Sequence, residues 1–163
     1  DGAGRTPLHV AAFARQRAAM RALAKGGANP RALENRAYDA ITIAAVADDP
    51  DTMRVAIEIG GSPQEITSPY IGTALIAAAH LGHDTVVRDL IRTGAPLDHV
   101  NNLHWTALIE AVILGDGGPR HTECVRLLVE AGARRDLADR DGATPLDHAR
   151  RRGYTDMVAL LER

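Results

Sequence analysis

Aromatic side chains are scarce in this sequence. One Trp, three Tyr and one Phe make up 3% of 163 residues, while hydrophobic residues in total reach 45%. A core built around rings is thereby excluded, and the apolar mass is Ala, Leu, Ile and Val, which suits thin elements that approach closely. A single cysteine, Cys124, rules out an intramolecular disulfide framework and says little about compartment. Excess charge of either sign is missing as well: the net charge is −2, so the chain as a whole is not drawn to nucleic acid or anionic lipid. No run approaches the roughly 18 apolar residues needed to cross a bilayer, so no membrane insertion is expected. The first residue is Asp1 rather than Met, and it already lies inside a repeated pattern. A removed leader, a tag and further N-terminal repeats all stay open, as do cytoplasmic and exported locations.

What the sequence has in abundance is self-similarity. Gly4-Arg5-Thr6-Pro7-Leu8-His9-Val10-Ala11-Ala12 returns in weaker form from Asp39, Thr73, Thr106 and Thr144, at spacings of 33, 34, 33 and 38 residues. A fixed period in the thirties marks a repeat array. Each copy reads as the start of a short helix. Thr or Asp caps the orphan N–H groups, Pro7 and Pro145 stand where no N–H is needed, and Leu-x-x-Ala-Ala supplies a narrow apolar face. A second helix follows, with apolar residues at Met20, Met53, Val87, Val125 and Val158. Gly27, Gly60, Gly94 and Gly132 stand where a left-handed residue would end it.

These motifs, T-P-L-H-x-A-A and then G-H-x-x-V-V-x-x-L-I-x-x-G-A from Gly82 to Ala95, strongly resemble the ankyrin repeat. The resemblance implies an all-α solenoid of stacked helix–turn–helix units joined by β-hairpin-like fingers. Five units are expected, at about 1–33, 34–64, 65–100, 101–137 and 138–163, forming one domain. The second departs most, with Asp39 for Thr, Ala40 for Pro and Asp48 for the inter-helix Gly. The resemblance gives His9 a structural role, bonding backbone between adjacent fingers. Longer stretches such as T-A-L-I-A-A-A-H-L-G-H resemble bacterial ankyrin proteins in particular.

Several side-chain groups invite chemistry, and each has a plainer reading beside it. Arg15-Gln16-Arg17 reads as a solvated turn. Asp48-Asp49-Pro50-Asp51 has the carboxylates of a calcium loop but neither the oxygen count nor the Gly turn, so Asp49 is expected to cap a helix beginning at Pro50. His80 and His83 share one side of a helix turn but lack further ligands nearby, since His99 and His104 lie toward the finger end. Asp116-Gly117-Gly118-Pro119-Arg120 is a five-residue insertion between the helices of the fourth unit, expected to project without breaking the stack. Gly117, Gly118, Arg120 and His121 suggest a phosphate cradle, yet the segment follows a helix and lacks a Gly-Lys-Ser/Thr ending. Cys124 aligns with Val86 and reads as a small core residue. Arg150-Arg151-Arg152 fits the polar outer face of a terminal repeat.

In the family's geometry the fifth and eighth positions of each first helix, with the finger residue before each anchor, line the concave surface. Here those helix positions are Val10/Phe13, Ile43/Val46, Ala77/His80, Glu110/Ile113 and His148/Arg151, and the finger positions Arg5, Tyr38, Gly72, Trp105 and Ala143. Four of the five aromatic residues, Phe13, Tyr38, Tyr70 and Trp105, fall on this groove or its fingers. Rigid, partly exposed Trp and Tyr commonly become binding hot spots. The expected partner-binding set is therefore Phe13, Tyr38, Tyr70, His80, Trp105, Glu110 and Ile113, with Asp116, Gly117, Gly118, Arg120 and His121 as a secondary loop site. The reading is a non-catalytic, monomeric protein-interaction scaffold with no metal or cofactor. The alternative is a metal- or small-ligand-binding, even hydrolytic, protein using the His80/Glu110 region or the 115–121 loop.

Overall fold

A computed structural model describes residues 1–162. Ten helices occur among them, in order α1 (Pro7–Phe13), α2 (Arg17–Lys25), α3 (Ala40–Val46), α4 (Pro50–Glu58), α5 (Ala74–Leu81), α6 (Asp84–Arg92), α7 (Ala107–Ile113), α8 (Pro119–Glu130), α9 (Pro145–Arg152) and α10 (Thr155–Leu161). No strand occurs among the described residues. The odd-numbered helices stack on one another in one layer and the even-numbered ones in a second.

Isolated helices of seven to nine residues are too short to persist in water, so caps and stacking must hold them. Each first helix has its anchor side chain on the third backbone N–H: Thr6 accepts from His9, Asp39 from Thr42, Thr73 from Ile76, Thr106 from Ile109 and Thr144 from Asp147. Thr6 and Thr144 complete capping boxes. In the first of these, His9 Nδ1 accepts from the Thr6 N–H at 3.0 Å, which leaves Nε2–H to donate to the Ala32 carbonyl at 2.8 Å. His9 is buried and pins the following finger, as its position implied.

The alanines sit at the seams. Ala44, Ala45, Ala78, Ala79 and Ala111 are almost wholly buried, and their lack of bulk lets backbones of successive units approach closely. Met20, Met53, Val87, Val125 and Met157 fill the space between the two layers with no exposed surface. The second helices end in a shared device, with N–H groups of Ala28, Gly61, Ala95 and Ala133 reaching back to Leu23, Ala56, Leu90 and Leu128. The preceding glycines carry the positive φ this needs. Asp49 caps α4 at Pro50 as expected, through Thr52 N–H and hydroxyl.

Arg15, Gln16 and Arg17 are exposed, as expected of a solvated turn, with Arg17 opening α2 and Arg15 Nε 3.4 Å from Asp49 Oδ2. One surface expectation is revised: the insertion in the fourth unit does not project. Its last residues extend a helix, since α8 begins at Pro119 and runs 12 residues against nine for α6. The remaining turn is drawn onto the stack. The Tyr154 hydroxyl donates to the Gly115 carbonyl at 3.0 Å, and the His121 nitrogens face Asp116 Oδ1 and the His80 carbonyl oxygen, each at 2.9 Å. Arg120 reaches Asp84 and Asp48, its Nε 2.9 Å from the first and its Nη1 2.9 Å from the second. These bonds tie the fourth unit to the second, third and fifth. The turn stays at the surface, with Asp116 and Arg120 exposed, but these bonds hold it against the stack.

Candidate functional site

The fingers are turns locked by one side chain each. Asp1, Glu34, Ser68, Asn101 and Asp139 each accept hydrogen bonds from the backbone N–H groups two and four residues ahead. Each turn passes through one left-handed residue. Gly4 and Gly142 fill that place in the first and fifth fingers, but Ala37, Ile71 and His104 fill it in the three between, at φ 61°, 56° and 62°. A β-branched residue in this region is strained, so Ile71 is held there by its surroundings. His99 Nε2 stands 2.6 Å from the Ile71 carbonyl oxygen, and Ser68 clasps the turn from inside.

Backbone bonds join two pairs of neighbouring fingers; among the described residues none joins the fourth to the fifth, although Arg140 carries an N–H at the equivalent place. Asn35 N–H donates to the Ala3 carbonyl and Asn102 N–H to that of Tyr70. The equivalent residue in the third finger is Pro69, which has no N–H to give. Among the described residues no backbone bond joins the second finger to the third.

Beside that gap lies a cavity of about 420 Å³. Tyr38, Tyr70, Leu103 and Trp105 reach it from three fingers, while Val46, Ile76, His80, Leu81, Glu110 and Leu114 reach it from α3, α5, α7 and the ends of these helices. Five of the seven residues expected in the binding set, Tyr38, Tyr70, His80, Trp105 and Glu110, thus face one space. Ile113 faces a neighbouring cavity of about 390 Å³ that shares Leu103 and Trp105 and is rimmed by Asp139, Arg140, Asp141, His148 and Arg152. Phe13 stands apart on α1, 52% exposed, with the Arg5 guanidinium 5.8 Å from its ring centre. Of the other positions expected on the groove, Ile43 and Ala143 are buried within the stack.

Glu110 is the cavity's unusual member. It is only 5% exposed, because α7 presents it inward between the third and fourth fingers. Its Oε1 accepts from Asn101 Nδ2 at 2.7 Å, so the residue that locks the fourth finger also holds the carboxylate. His80 Nδ1 lies 3.3 Å from Oε2 without a hydrogen bond between them. Sequence reasoning placed Glu110 on the groove but not Asn101, Leu103 or Leu114. Position 101 was legible only as one of five equivalent turn residues, a register that side-chain hydrogen bonds reveal and composition does not.

The charges of the secondary loop are already paired within the chain. Arg120 is neutralised by Asp48 and Asp84, and the Arg120 guanidinium holds the Asp48 carboxyl below the usual carboxylate range. Gly118 N–H and His121 do the same for Asp116. No group of three or more His, Cys, Asp or Glu side chains is placed to share a metal among the described residues. Cys124 is wholly buried, and burial pushes its thiol up to about 12, so no thiolate is available near neutral pH.

The ankyrin repeat pattern matches residues 3–35, and the pattern for three ankyrin repeats matches residues 75–162, more than half the chain. The chain belongs to the ankyrin repeat family. The putative ankyrin repeat protein YahD of Escherichia coli (strain K12) is 32% identical to it over 161 residues, covering 99% of this chain and 80% of YahD. The crystal structure of an ankyrin repeat domain from Acinetobacter baumannii AYE superposes with a TM-score of 0.93 at 42% identity, over 99% of this chain and 82% of that one. A second solved ankyrin repeat protein superposes equally well, TM-score 0.93, at 30% identity over 100% of this chain and 82% of its own. These bacterial relatives agree with the resemblance found in the longer motifs. Ankyrin repeat proteins generally mediate protein–protein interaction and are typically non-catalytic. The fold alone does not choose a ligand, so the choice belongs to the side chains of the cavity. No helix among the described residues is long and apolar enough to cross a membrane.

Proposed function

We propose that this ankyrin array is a non-catalytic interaction module that holds a segment of a partner protein in the cavity between its second, third and fourth fingers. The observation that carries the reading is the convergence of Tyr38, Tyr70 and Trp105, three of the chain's five aromatic residues, on one space. Tyr70 is 57% exposed and Trp105 half-buried, so both offer apolar area and a polar edge to an incoming chain. The cavity is completed within one chain, so a single copy suffices for binding. Stacked repeats on both sides hold the walls, which lowers the ordering entropy lost on association. Binding would remove the rings and Leu103 from water at roughly 25 cal/mol per Å² of apolar area, and the polar finger backbone would set orientation.

The test is a comparative pull-down from source-cell lysate and envelope fractions, read by mass spectrometry. Wild-type protein is compared with a Tyr38→Ala/Trp105→Ala variant whose fold is checked by circular dichroism. A protein held by the wild type and lost from the folded variant is expected. Equal retention by both would remove the cavity from the reading and point to another surface.

A further inference from the structure

The cavity's polarity selects among partner side chains. No Lys, Arg or Asp lines it, and besides its tyrosines its titratable members are Glu110 and His80. The Glu110 side chain is 93% buried by its 7% exposure, and only one of its oxygens accepts a hydrogen bond. Asn101 supplies one N–H where four lone-pair sites exist, and His80 Nδ1 stands 3.3 Å from Oε2 without a hydrogen bond, so Oε2 can take a further donor. Three rings line the same cavity. The chain's other two rings are already covered by its own cations, Phe13 by Arg5 and Tyr154 by Arg152, each at 5.8 Å. Among the described residues Tyr38, Tyr70 and Trp105 have no such cation.

Resting on the interaction reading above, we infer that the cavity takes a lysine side chain of the partner, its ammonium donated to Glu110 Oε2 and set among the rings of Tyr38, Tyr70 and Trp105. The quadrupole of each ring attracts a cation over its face, and a desolvated site strengthens that attraction. Val46, Leu81, Leu103 and Leu114 supply apolar wall for a four-carbon stem. Lysine fits better than arginine because Oε2 alone accepts no hydrogen bond within the described chain, and one oxygen matches a point donor. A guanidinium makes its strong contact by engaging both carboxylate oxygens, and Oε1 already belongs to Asn101.

Trp105 is the chain's one tryptophan, so it reports on the cavity by itself. Blocked alanine pentapeptides carrying a central lysine, norleucine, arginine or glutamate are titrated while Trp105 fluorescence and its indole N–H resonance are followed. The lysine peptide is expected to saturate the shift at millimolar concentration, about tenfold more tightly than the norleucine peptide. Glu110→Gln keeps an acceptor for Asn101 and removes the charge, and it should erase the preference for lysine over norleucine while the thermal transition stays in place. Equal affinity for lysine and norleucine would overturn the inference and leave the interaction reading intact, with the cavity a purely apolar slot. A lysine preference surviving in folded Glu110→Gln would overturn it also, as would stronger binding of arginine. The absence of any saturable shift would overturn the lysine inference, while the Tyr38→Ala/Trp105→Ala pull-down judges the wider reading separately.

Discussion

Replacing Asp39 with threonine is expected to stabilise the protein at neutral pH, although Asp39 caps a helix and is almost fully buried. The other four anchors are threonines, and the backbone at Asp39 (φ −94°, ψ −179°) nearly matches that at Thr106 (φ −91°, ψ 170°), so the substitution introduces no strain. Oδ1 accepts from the Thr42 N–H at 2.8 Å, a bond that a threonine hydroxyl reproduces. Oδ2 has no partner and is buried, and an orphaned buried oxygen costs about 1–3 kcal/mol. With the cap retained, a gain of about 1–2 kcal/mol is expected, which for a chain of this length raises Tm by about 3–6 °C. The pH dependence follows from the charge. Burial pushes the Asp39 carboxyl above its ordinary range, with the Thr42 bonds opposing the rise only in part. Below the unfolded value, near 3.8, the group is protonated in both states and its charge adds no penalty. As pH rises toward the folded value, the native state holds the proton more tightly than the unfolded one, and stability falls until both are ionised. The advantage of Asp39→Thr should therefore be largest near pH 7 and shrink at the acid end of this window. Urea titrations followed by circular dichroism at the two pH values measure it. A loss of stability at pH 7, or a gain that does not shrink in acid, would refute the account, and Asp39→Ala, which removes the cap, should destabilise at both.

Gly117→Ala should destabilise by about 1–3 kcal/mol, since Gly117 sits at φ +72° and an added Cβ would meet the Tyr154 ring at 2.5 Å. In a Tyr154→Ala background the steric part disappears, and urea melts of the four proteins in this cycle should give a smaller cost for Gly117→Ala there. Cys124 should resist Ellman's reagent in the native protein at pH 8 and react promptly once unfolded, because its thiol is buried and pushed up to about 12. Rapid native labelling would mean that the fourth repeat opens far more readily than its packing implies.

The helices were legible because their signals are local. A Thr or Asp followed by Leu-x-x-Ala-Ala states both where a helix starts and which face is buried, and it did so even at Asp39, where threonine and proline are absent. The aromatic set was legible in part, through register: Tyr38 and Trp105 hold the same finger position in different repeats. The fate of Phe13 and Ile113 was not, because helix position fixes direction but not what else reaches the same space. The insertion was misread for a similar reason. Gly-Gly-Pro is a correct signal for a turn, yet Tyr154 and Asp48, 38 and 68 residues from Asp116, decide whether that turn stands away from the stack or is bound to it.

By itself the sequence determined the repeat, its period, the caps and the small residues at the seams, all of which depend on neighbours within a few positions along the chain. Only the tertiary structure decided that no backbone bond joins the second finger to the third among the described residues, that three rings from separate repeats share one cavity, and that Glu110 is buried beside His80 in it. Stacking brings together residues about 33 positions apart, and both the enclosure of a cavity and the desolvation of a charge are properties of that assembled surface.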